Sequence, residues 1–277
     1  MQIAVLNKSF RLPFGETLRL ANLMGFENLQ IALEGEFDVD SMSREKTAVM
    51  FKMLEEHNMS VCSYCGDLGG HGFTDPKLNA YKISKTLKMV DYAHNTGVGI
   101  ITTHIGVIPA DRLSKTYSVL SSALSIVGEY AAKCGITIAV ETGPENPRVL
   151  AEFIDRMPSS IRVNMDPANI VMVTGDDPAK AVKTLGWRIV HTHATDGKRF
   201  GVADPNSVYG SGGAVYDTPP FAECSIGKGD VNWKEYLTAL KKIDYDGFLT
   251  IECDCCNDPL SAILEGKKFL EQTLIKL

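Results

Sequence analysis

Four side chains that could bind a divalent metal lie at the ends of short apolar stretches in the second half of the chain. They are Glu141, Asp166, His193 and Glu252. The acids follow runs in which aliphatic residues alternate with small or polar ones, the pattern of a β-strand with one buried face. Each acid falls on the face opposite the large aliphatic side chains. If those aliphatic side chains pack against helices, the acids and the imidazole should converge on the other side of the sheet.

Three carboxylates in a partly dry pocket repel one another strongly unless a cation neutralises them. One divalent metal would do so. An oxygen-rich ligand set with a single histidine favours Mn²⁺, Mg²⁺ or Co²⁺ over a sulfur-seeking ion, with Zn²⁺ as an alternative. Taken one by one, each acid could also be a solvent-exposed charge at a strand end. Because four separate stretches end alike, the pattern favours one shared metal site.

Eight predicted strands alternate with helical patterns and position these four residues. The strands are expected at Gln2–Asn7, Asn28–Leu33, Ser60–Cys65, Gly99–Ile105, Thr137–Thr142, Ile161–Asp166, Arg188–Ala194 and Phe248–Cys253. Asp-Pro pairs that begin at Asp75, Asp177 and Asp258 each supply a capping carboxylate and a proline suited to a first helical turn. Such alternation predicts an α/β fold, a single-domain (β/α)8 TIM barrel. A doubly wound open sheet is the alternative.

The segment from about residue 197 to 231 is longer than the other connections and is rich in Gly, Ser, Pro and Tyr. It follows the seventh predicted strand, so in a barrel it would lie on the face that carries active sites. Long connections in compact domains are usually functional or disordered. We expect a lid over the site or a flexible insertion, within one domain that spans residues 1–277.

The composition and charge of the chain indicate which partners and which cellular location to expect. The 277 residues carry 28 Lys and Arg against 34 Asp and Glu, a net charge of −6, which argues against nucleic acid as a partner. No apolar run approaches the length of about 18 residues that a membrane helix needs, and the N-terminus lacks the features of a signal peptide. Seven cysteines, an odd number, do not suggest a secreted disulfide framework, and we expect them to be reduced. These features indicate a cytoplasmic protein without a membrane partner.

Five phrases of the sequence surround the candidate metal ligands and the end of the long segment. They are Val140-Glu141-Thr142, Asn164-Met165-Asp166-Pro167-Ala168-Asn169, His191-Thr192-His193-Ala194-Thr195-Asp196-Gly197, Gly227-Lys228-Gly229-Asp230-Val231-Asn232-Trp233 and Tyr245-Asp246-Gly247-Phe248-Leu249-Thr250-Ile251-Glu252. Together they resemble the sugar phosphate isomerase/epimerase family, a group of xylose isomerase-like barrels. The resemblance covers nearly the whole chain and implies that the same four residues form a metal site. It is also compatible with a homodimer.

The wider group includes ketose 3-epimerases, in which the two glutamates of the metal site also exchange the substrate proton from opposite faces. The resemblance therefore implies that Glu141 and Glu252 are catalytic. Those enzymes carry an arginine six residues beyond the metal histidine, a spacing that Arg199 keeps, and a histidine three residues after the aspartate, where this chain has Asn169. We expect both residues to contact the substrate. The second-strand glutamate common in the family is Gln30 here.

The chemistry of such a site is proton transfer next to a carbonyl. A sugar that chelates the metal through its carbonyl and a neighbouring hydroxyl becomes more acidic at the adjacent carbon. A glutamate then removes that proton to give an ene-diolate. The predicted activity is therefore that of a divalent-metal-dependent sugar isomerase or epimerase whose substrate is a small sugar or sugar derivative.

Three further polar residues are candidates for substrate contact. His104 ends the fourth predicted strand, Asp196 lies near the predicted mouth of the barrel, and His71 stands in a glycine-rich loop after the third strand. Each also has a plainer interpretation, as a buried hydrogen-bonded histidine, a solvated charge or an ordinary loop residue.

Two other functions stay open. Apurinic-site endonucleases share the fold and the metal quartet, but their Asp-x-His pair falls here on Phe221 and Glu223, and the acidic charge disfavours a phosphodiester substrate. A non-catalytic sugar-binding barrel would keep the fold and bind its ligand without turnover.

Overall fold

Eight parallel strands form a closed barrel at the centre of the computed structural model, which describes residues 1–69, 72–209, 214–253 and 257–277. The barrel strands are β1 (Gln2–Leu6), β2 (Asn28–Ala32), β3 (Ser60–Cys65), β4 (Ile100–Thr103), β5 (Thr137–Glu141), β6 (Ile161–Met165), β7 (Ile189–Ala194) and β10 (Phe248–Ile251). Two further strands, β8 (Asp196–Arg199) and β9 (Phe221–Cys224), lie outside the barrel. The order around the barrel is β1-β10-β7-β6-β5-β4-β3-β2. The predicted single-domain TIM barrel is confirmed, and the open sheet is excluded.

Helices connect the strands and cover the outside of the barrel. They are α1 (Phe14–Leu23), α2 (Arg44–Glu56), α3 (Pro76–Thr96), α4 (Lys115–Lys133), α5 (Pro147–Ile154), α6 (Pro167–Asn169), α7 (Pro178–Leu185), α8 (Pro205–Tyr209), α9 (Trp233–Lys242) and α10 (Pro259–Ile275). The carboxylates of Asp75, Asp177 and Asp258 accept hydrogen bonds from backbone N–H groups in the first turns of α3, α7 and α10, as the Asp-Pro pairs predicted. None of the helices in the described part of the chain is long and apolar enough to cross a bilayer.

The main hydrophobic core lies between the barrel strands and the helices. On β5, the side chains of Ile138 and Val140 belong to this core, together with Leu124 and Val127 of α4. The intervening strand residue Ala139 is buried but lies outside the core cluster, as does Glu141 at the end of the strand. Fully burying an aliphatic side chain of this size contributes about 1.5–3 kcal/mol. The period-two pattern therefore fixes which side chains face the helices and which face the barrel interior.

The long segment after β7 is not a simple loop. Strands β8 and β9 pair as an antiparallel hairpin in which Asp196 lies opposite Cys224 and Arg199 lies opposite Phe221. Helix α8 follows β8 within the same segment. The sequence signal for these elements was weak because both strands have only four residues and the segment between them is rich in turn-forming residues.

The cysteines are not all alike. Cys62, Cys65, Cys134 and Cys224 are free, as expected, whereas Cys253 is disulfide-bonded. The expectation of reduced cysteines is therefore wrong for Cys253, since an odd total does not exclude a single bridge.

Candidate metal centre at the carboxyl end of the barrel

The four predicted metal ligands meet at the carboxyl ends of their strands. One ligand atom from each of Glu141, Asp166, His193 and Glu252 lies within 4.8 Å of the others. The first three side chains are buried and that of Glu252 is 13% exposed. All four line a cavity of about 200 Å³. Residues spread over more than a hundred positions of the sequence thus face one small space.

His193 presents one ring nitrogen to the carboxylates. Its Nδ1 lies 2.9 Å from Oε2 of Glu252 and 3.2 Å from Oε2 of Glu141. Its Nε2 lies 3.0 Å from Oε1 of Gln30, on the opposite side of the ring. The nitrogen available to a metal in this cluster is therefore Nδ1.

Burial and mutual repulsion perturb the acids of the cluster. Burial, followed by the charge of Glu141, raises the pKa of Asp166 to about 7. Burial also acts to raise the pKa of Glu141, but the charges and hydrogen bonds of His104 and His193 outweigh it and hold this pKa well below its usual range. In the protein alone, the imidazoles thus provide the positive charge that the carboxylates require. A divalent cation fits the same position, because carboxylate oxygens and a neutral imidazole are the donors that such ions prefer.

Two amides fix the carboxylate of Glu141. Asn164 Nδ2 donates to Oε2 at 3.2 Å, and Asn169 Nδ2 donates to Oε1 at 3.1 Å. Asn169, a predicted substrate contact, lies in the cavity wall beside the candidate ligand Glu141. Hydrogen bonds of this kind keep a carboxylate in one orientation, which is what metal ligands in proteins commonly need.

Asp166 caps helix α6. Its Oδ1 accepts hydrogen bonds from the backbone N–H of Ala168 at 2.8 Å and of Asn169 at 3.2 Å. The hydroxyl of Thr195, the residue after β7, also donates to Oδ1. Pro167 follows directly and suits the first turn of the helix. The phrase from Asp166 to Asn169 therefore places the carboxylate in the cavity through the start of a helix.

His104 lies in the cavity wall, where the sequence placed a substrate contact. Its Nδ1 is 3.1 Å from Oδ2 of Asp67, and its Nε2 is 3.5 Å from Oε1 of Glu141. Burial acts to lower the pKa of His104, but the negative charges of Glu141 and Asp67 raise it well above its usual value. His104 is therefore a positively charged donor at the edge of the metal cluster.

The cavity also contains residues that the sequence did not indicate. Lys8 and Asp67 line it, each two residues beyond the end of a barrel strand, and Glu223 reaches it from β9. The ammonium of Lys8 lies 3.9 Å from Oε1 of Glu252. For Lys8 and Asp67, the position just after a strand end was the available signal, because the loops at this end of a barrel surround the site.

Asp196 does not line the cavity but holds the two ends of the long segment together. Its carboxylate is fully buried and accepts hydrogen bonds from the backbone N–H of Gly197, Gly227, Gly229 and Val231 and from Nε1 of Trp233. A Cβ at Gly229 would lie 2.1 Å from Oδ1 of Asp196, so only glycine allows this close approach. Backbone and side-chain N–H groups of residues 227–233 thus surround the carboxylate of Asp196.

Arg199 also lies outside the cavity lining. Its Nε donates to the carbonyl of Gly201 at 2.8 Å. Its Nη1 has no hydrogen-bond partner among the described residues and occupies the space beside Gly175, where an added Cβ would lie only 1.6 Å away. His71, the last predicted substrate contact, lies outside the described residues.

His191 lies in the barrel interior and is not part of the metal cluster. Its Nε2 contacts Ser63 Oγ at 2.9 Å and Thr250 Oγ1 at 3.1 Å, and its Nδ1 contacts Asn164 Oδ1 at 2.9 Å. Burial and the charge of His193 lower its pKa well below the usual value. A neutral His191 therefore orients Asn164, which in turn orients Glu141.

The sequence of this protein is similar to that of a curated bacterial protein over nearly its full length. The uncharacterized protein YfiH of Bacillus subtilis (strain 168) is 24% identical over an alignment of 305 positions, gaps included, that covers 95% of this chain and 96% of YfiH.

Solved structures show the same fold. A xylose isomerase domain protein from Planctomyces limnophilus has a TM-score of 0.82 at 24% identity, covering 99% of this chain and 96% of that one. A D-tagatose 3-epimerase-like protein has a TM-score of 0.76 at 20% identity, covering 100% and 99%. A protein from Mycobacterium smegmatis, in complex with magnesium, has a TM-score of 0.75 at 15% identity, covering 99% and 96%.

A sequence model of a protein family matches most of the chain. The model described as xylose isomerase-like TIM barrel matches residues 18–273. This span contains seven of the eight barrel strands and all four candidate metal ligands. The chain belongs to the xylose isomerase-like TIM barrel family.

Proposed function

We propose that the protein is a divalent-metal-dependent isomerase or epimerase of a small sugar or sugar derivative. The observation that carries this proposal is the convergence of three carboxylates and one imidazole within 4.8 Å in a cavity at the carboxyl end of the barrel. This donor set suits Mg²⁺, Mn²⁺ or Co²⁺. The magnesium complex of the M. smegmatis protein and the 3-epimerase-like structure support the same interpretation.

Glu141 and Glu252 are the two residues that would move the proton. A divalent ion held by the cluster would polarise a sugar carbonyl and so make the neighbouring C–H more acidic. The two carboxylates line the same cavity from strands that are not neighbours in the barrel, and they can approach a bound sugar from different sides. One carboxylate takes the proton from the carbon next to the carbonyl, the C–H electron pair forms the C=C bond of an ene-diolate, and the carbonyl π pair moves onto its oxygen. Protonation of the same carbon from the opposite face gives the epimer. Protonation of the former carbonyl carbon, with transfer of the neighbouring hydroxyl proton to the other oxygen, gives the isomer.

Other residues of the cavity wall would bind and orient the sugar. His104 offers a charged N–H group, and Lys8 offers an ammonium beside Glu252. Asn169 lies on the Glu141 side of the cavity, where its amide can also meet a sugar hydroxyl. Glu223 comes from the β8–β9 hairpin, so the segment expected to be a lid or a flexible insertion supplies one residue of the cavity wall. Such contacts restrict the sugar to one pose, which favours reaction at one carbon.

A hydrogen-exchange screen in heavy water tests the proposal. The Mn²⁺-loaded protein is incubated with keto- and aldo-sugars in D₂O, and deuterium uptake at each carbon is followed by NMR. We expect exchange at one carbon next to the carbonyl. Glu141→Gln and Glu252→Gln should each slow it by about 10²–10⁴-fold, the usual contribution of a general base. Glu129→Gln, an exposed residue of α4, is the matched control and should exchange as the wild type does.

The exchange screen and a separate DNA-cleavage assay distinguish this proposal from the two alternative functions. Metal and sugar binding without exchange at any carbon across the panel would contradict the proposal and favour a sugar-binding barrel. Cleavage of a duplex that contains an abasic site, abolished by Glu141→Gln, would instead favour a phosphodiesterase.

A further inference from the structure

Gln30 links the metal cluster to the interior of the barrel. It lies on β2, its side chain is fully buried, and its amide has two partners from other strands. Oε1 lies 3.0 Å from Nε2 of His193, and Nε2 donates to Oγ1 of Thr102 at 2.9 Å. An uncharged side chain thus contacts the one imidazole of the cluster on the side that faces away from the carboxylates.

The two ring nitrogens of His193 face different partners, the carboxylates on one side and Gln30 on the other. A neutral imidazole carries its proton on one nitrogen and a lone pair on the other. Nδ1 faces Glu141 and Glu252, so a metal bound in the cluster needs the lone pair on Nδ1. The proton must then be on Nε2, and Oε1 of Gln30 is the atom placed to accept it.

We infer that Gln30 is a positioning residue that selects the metal-binding tautomer of His193. The inference rests on the proposed metal centre and adds the reason why its histidine binds through Nδ1. The hydrogen bond from Gln30 Nε2 to the hydroxyl of Thr102 holds the other end of the amide. Hydrogen-bond partners of metal-bound histidines commonly change metal affinity by 10–100-fold when they are removed.

The amide also limits the charge of the cluster. The cluster already contains three carboxylates around the position of a divalent ion. A glutamate at position 30 would accept the same proton from His193 but would add a further buried negative charge. Gln30 therefore supplies the acceptor without the charge, and a glutamate variant separates the two properties.

Two measurements test this inference. In Zn²⁺-loaded protein with ¹⁵N-labelled histidine, long-range ¹H–¹⁵N NMR should show His193 protonated at Nε2 and without a proton on Nδ1. Mn²⁺ titration followed by EPR should show a 10–100-fold loss of affinity in Gln30→Met, which lacks the acceptor. Gln30→Glu, which keeps the acceptor, should bind Mn²⁺ within about tenfold of the wild type.

Thr102→Val serves as the matched control. It removes the other hydrogen bond of the amide but leaves Oε1 beside His193, so its Mn²⁺ affinity should change less than that of Gln30→Met. The His191 signals should keep their wild-type pattern in every variant, since His191 has other partners.

Three results would overturn the inference. A proton on Nδ1 of His193 in the metal-loaded wild type would do so even if Gln30→Met did not fold. Wild-type Mn²⁺ affinity in folded Gln30→Met would remove only the role of Gln30 and leave the metal centre in place. A wild-type protein that binds neither ion would refute the metal centre itself and, with it, the proposed function.

Discussion

Replacing the buried Glu145 by glutamine should remove a large pH dependence of stability. Glu145 lies between β5 and α5 and is 8% exposed, and its carboxylate oxygens make no hydrogen bond of good geometry with the described residues. Burial raises its pKa from the ordinary value of 4.5 to about 8, although the backbone of Ile108 and the charge of His104 act to lower it. The folded chain therefore holds a proton on Glu145 at neutral pH, whereas the unfolded chain does not.

This difference in the protonation of Glu145 decides whether the free energy of unfolding rises or falls with pH. Below pH 4.5 both states are protonated, and the group does not alter the free energy of unfolding. Between pH 4.5 and about 8 only the folded state binds the proton, so stability falls as the pH rises, by about 1.4 kcal/mol for each pH unit. The total over that range is about 5 kcal/mol, an upper value because an ionised buried group can draw in water.

Urea unfolding of the metal-free protein at pH 5.0, 6.5 and 8.5 measures this dependence. Glu145→Gln does not titrate, so relative to the wild type it should gain several kcal/mol between the first and last pH. Glu129→Gln, at an exposed site on α4, should follow the wild-type curve. Parallel curves for wild type and Glu145→Gln would refute the reasoning, because Glu145 would then ionise alike in both states.

Three further outcomes are expected. Asp196→Ala should lower the free energy of unfolding by about 3 kcal/mol or more in urea titrations, since several buried N–H groups lose their acceptor; an unchanged midpoint would contradict the role given to this carboxylate. Gly175→Ala should lower it by more than Gly97→Ala does, because both glycines have positive φ but only at Gly175 would the new Cβ meet Arg199. Mn²⁺ at a hundredfold excess over its dissociation constant should raise the free energy of unfolding of the wild type by about 2.7 kcal/mol, and the same concentration should have less effect on Glu141→Gln in thermal unfolding.

The strand pattern was the strongest source of information in the sequence. On β5, the alternation that sends Ile138 and Val140 to the core leaves Glu141 facing the interior, and the structure has this arrangement. The same reasoning placed Asp166 and Glu252, because a period of two fixes the face of a side chain without any knowledge of its neighbours. The fold class and the convergence of these four side chains were therefore predictable from the strand pattern.

The remaining site residues depend on contacts that local pattern does not encode. Lys8 and Asp67 follow strand ends by two residues, where the alternation stops and the loop conformation decides the direction of a side chain. The hydrogen bonds to Asp196 come mostly from backbone groups about thirty residues further along the chain. Arg199 keeps the spacing of a substrate-binding arginine, yet its guanidinium lies against Gly175. Spacing alone could not show this placement.

The buried carboxylate of Asp196 holds both ends of the long segment beside each other. The ends of the segment are fixed to β7 and α9 by one buried carboxylate, while the described residues between β8 and β9 form no strand of the barrel. None of the described residues of that stretch belongs to the candidate metal cluster, although Ala203 packs against Ala168 and Met172 beside it. Under the proposed function, this division would let the segment differ between relatives while the four candidate ligands stay at the ends of the barrel strands.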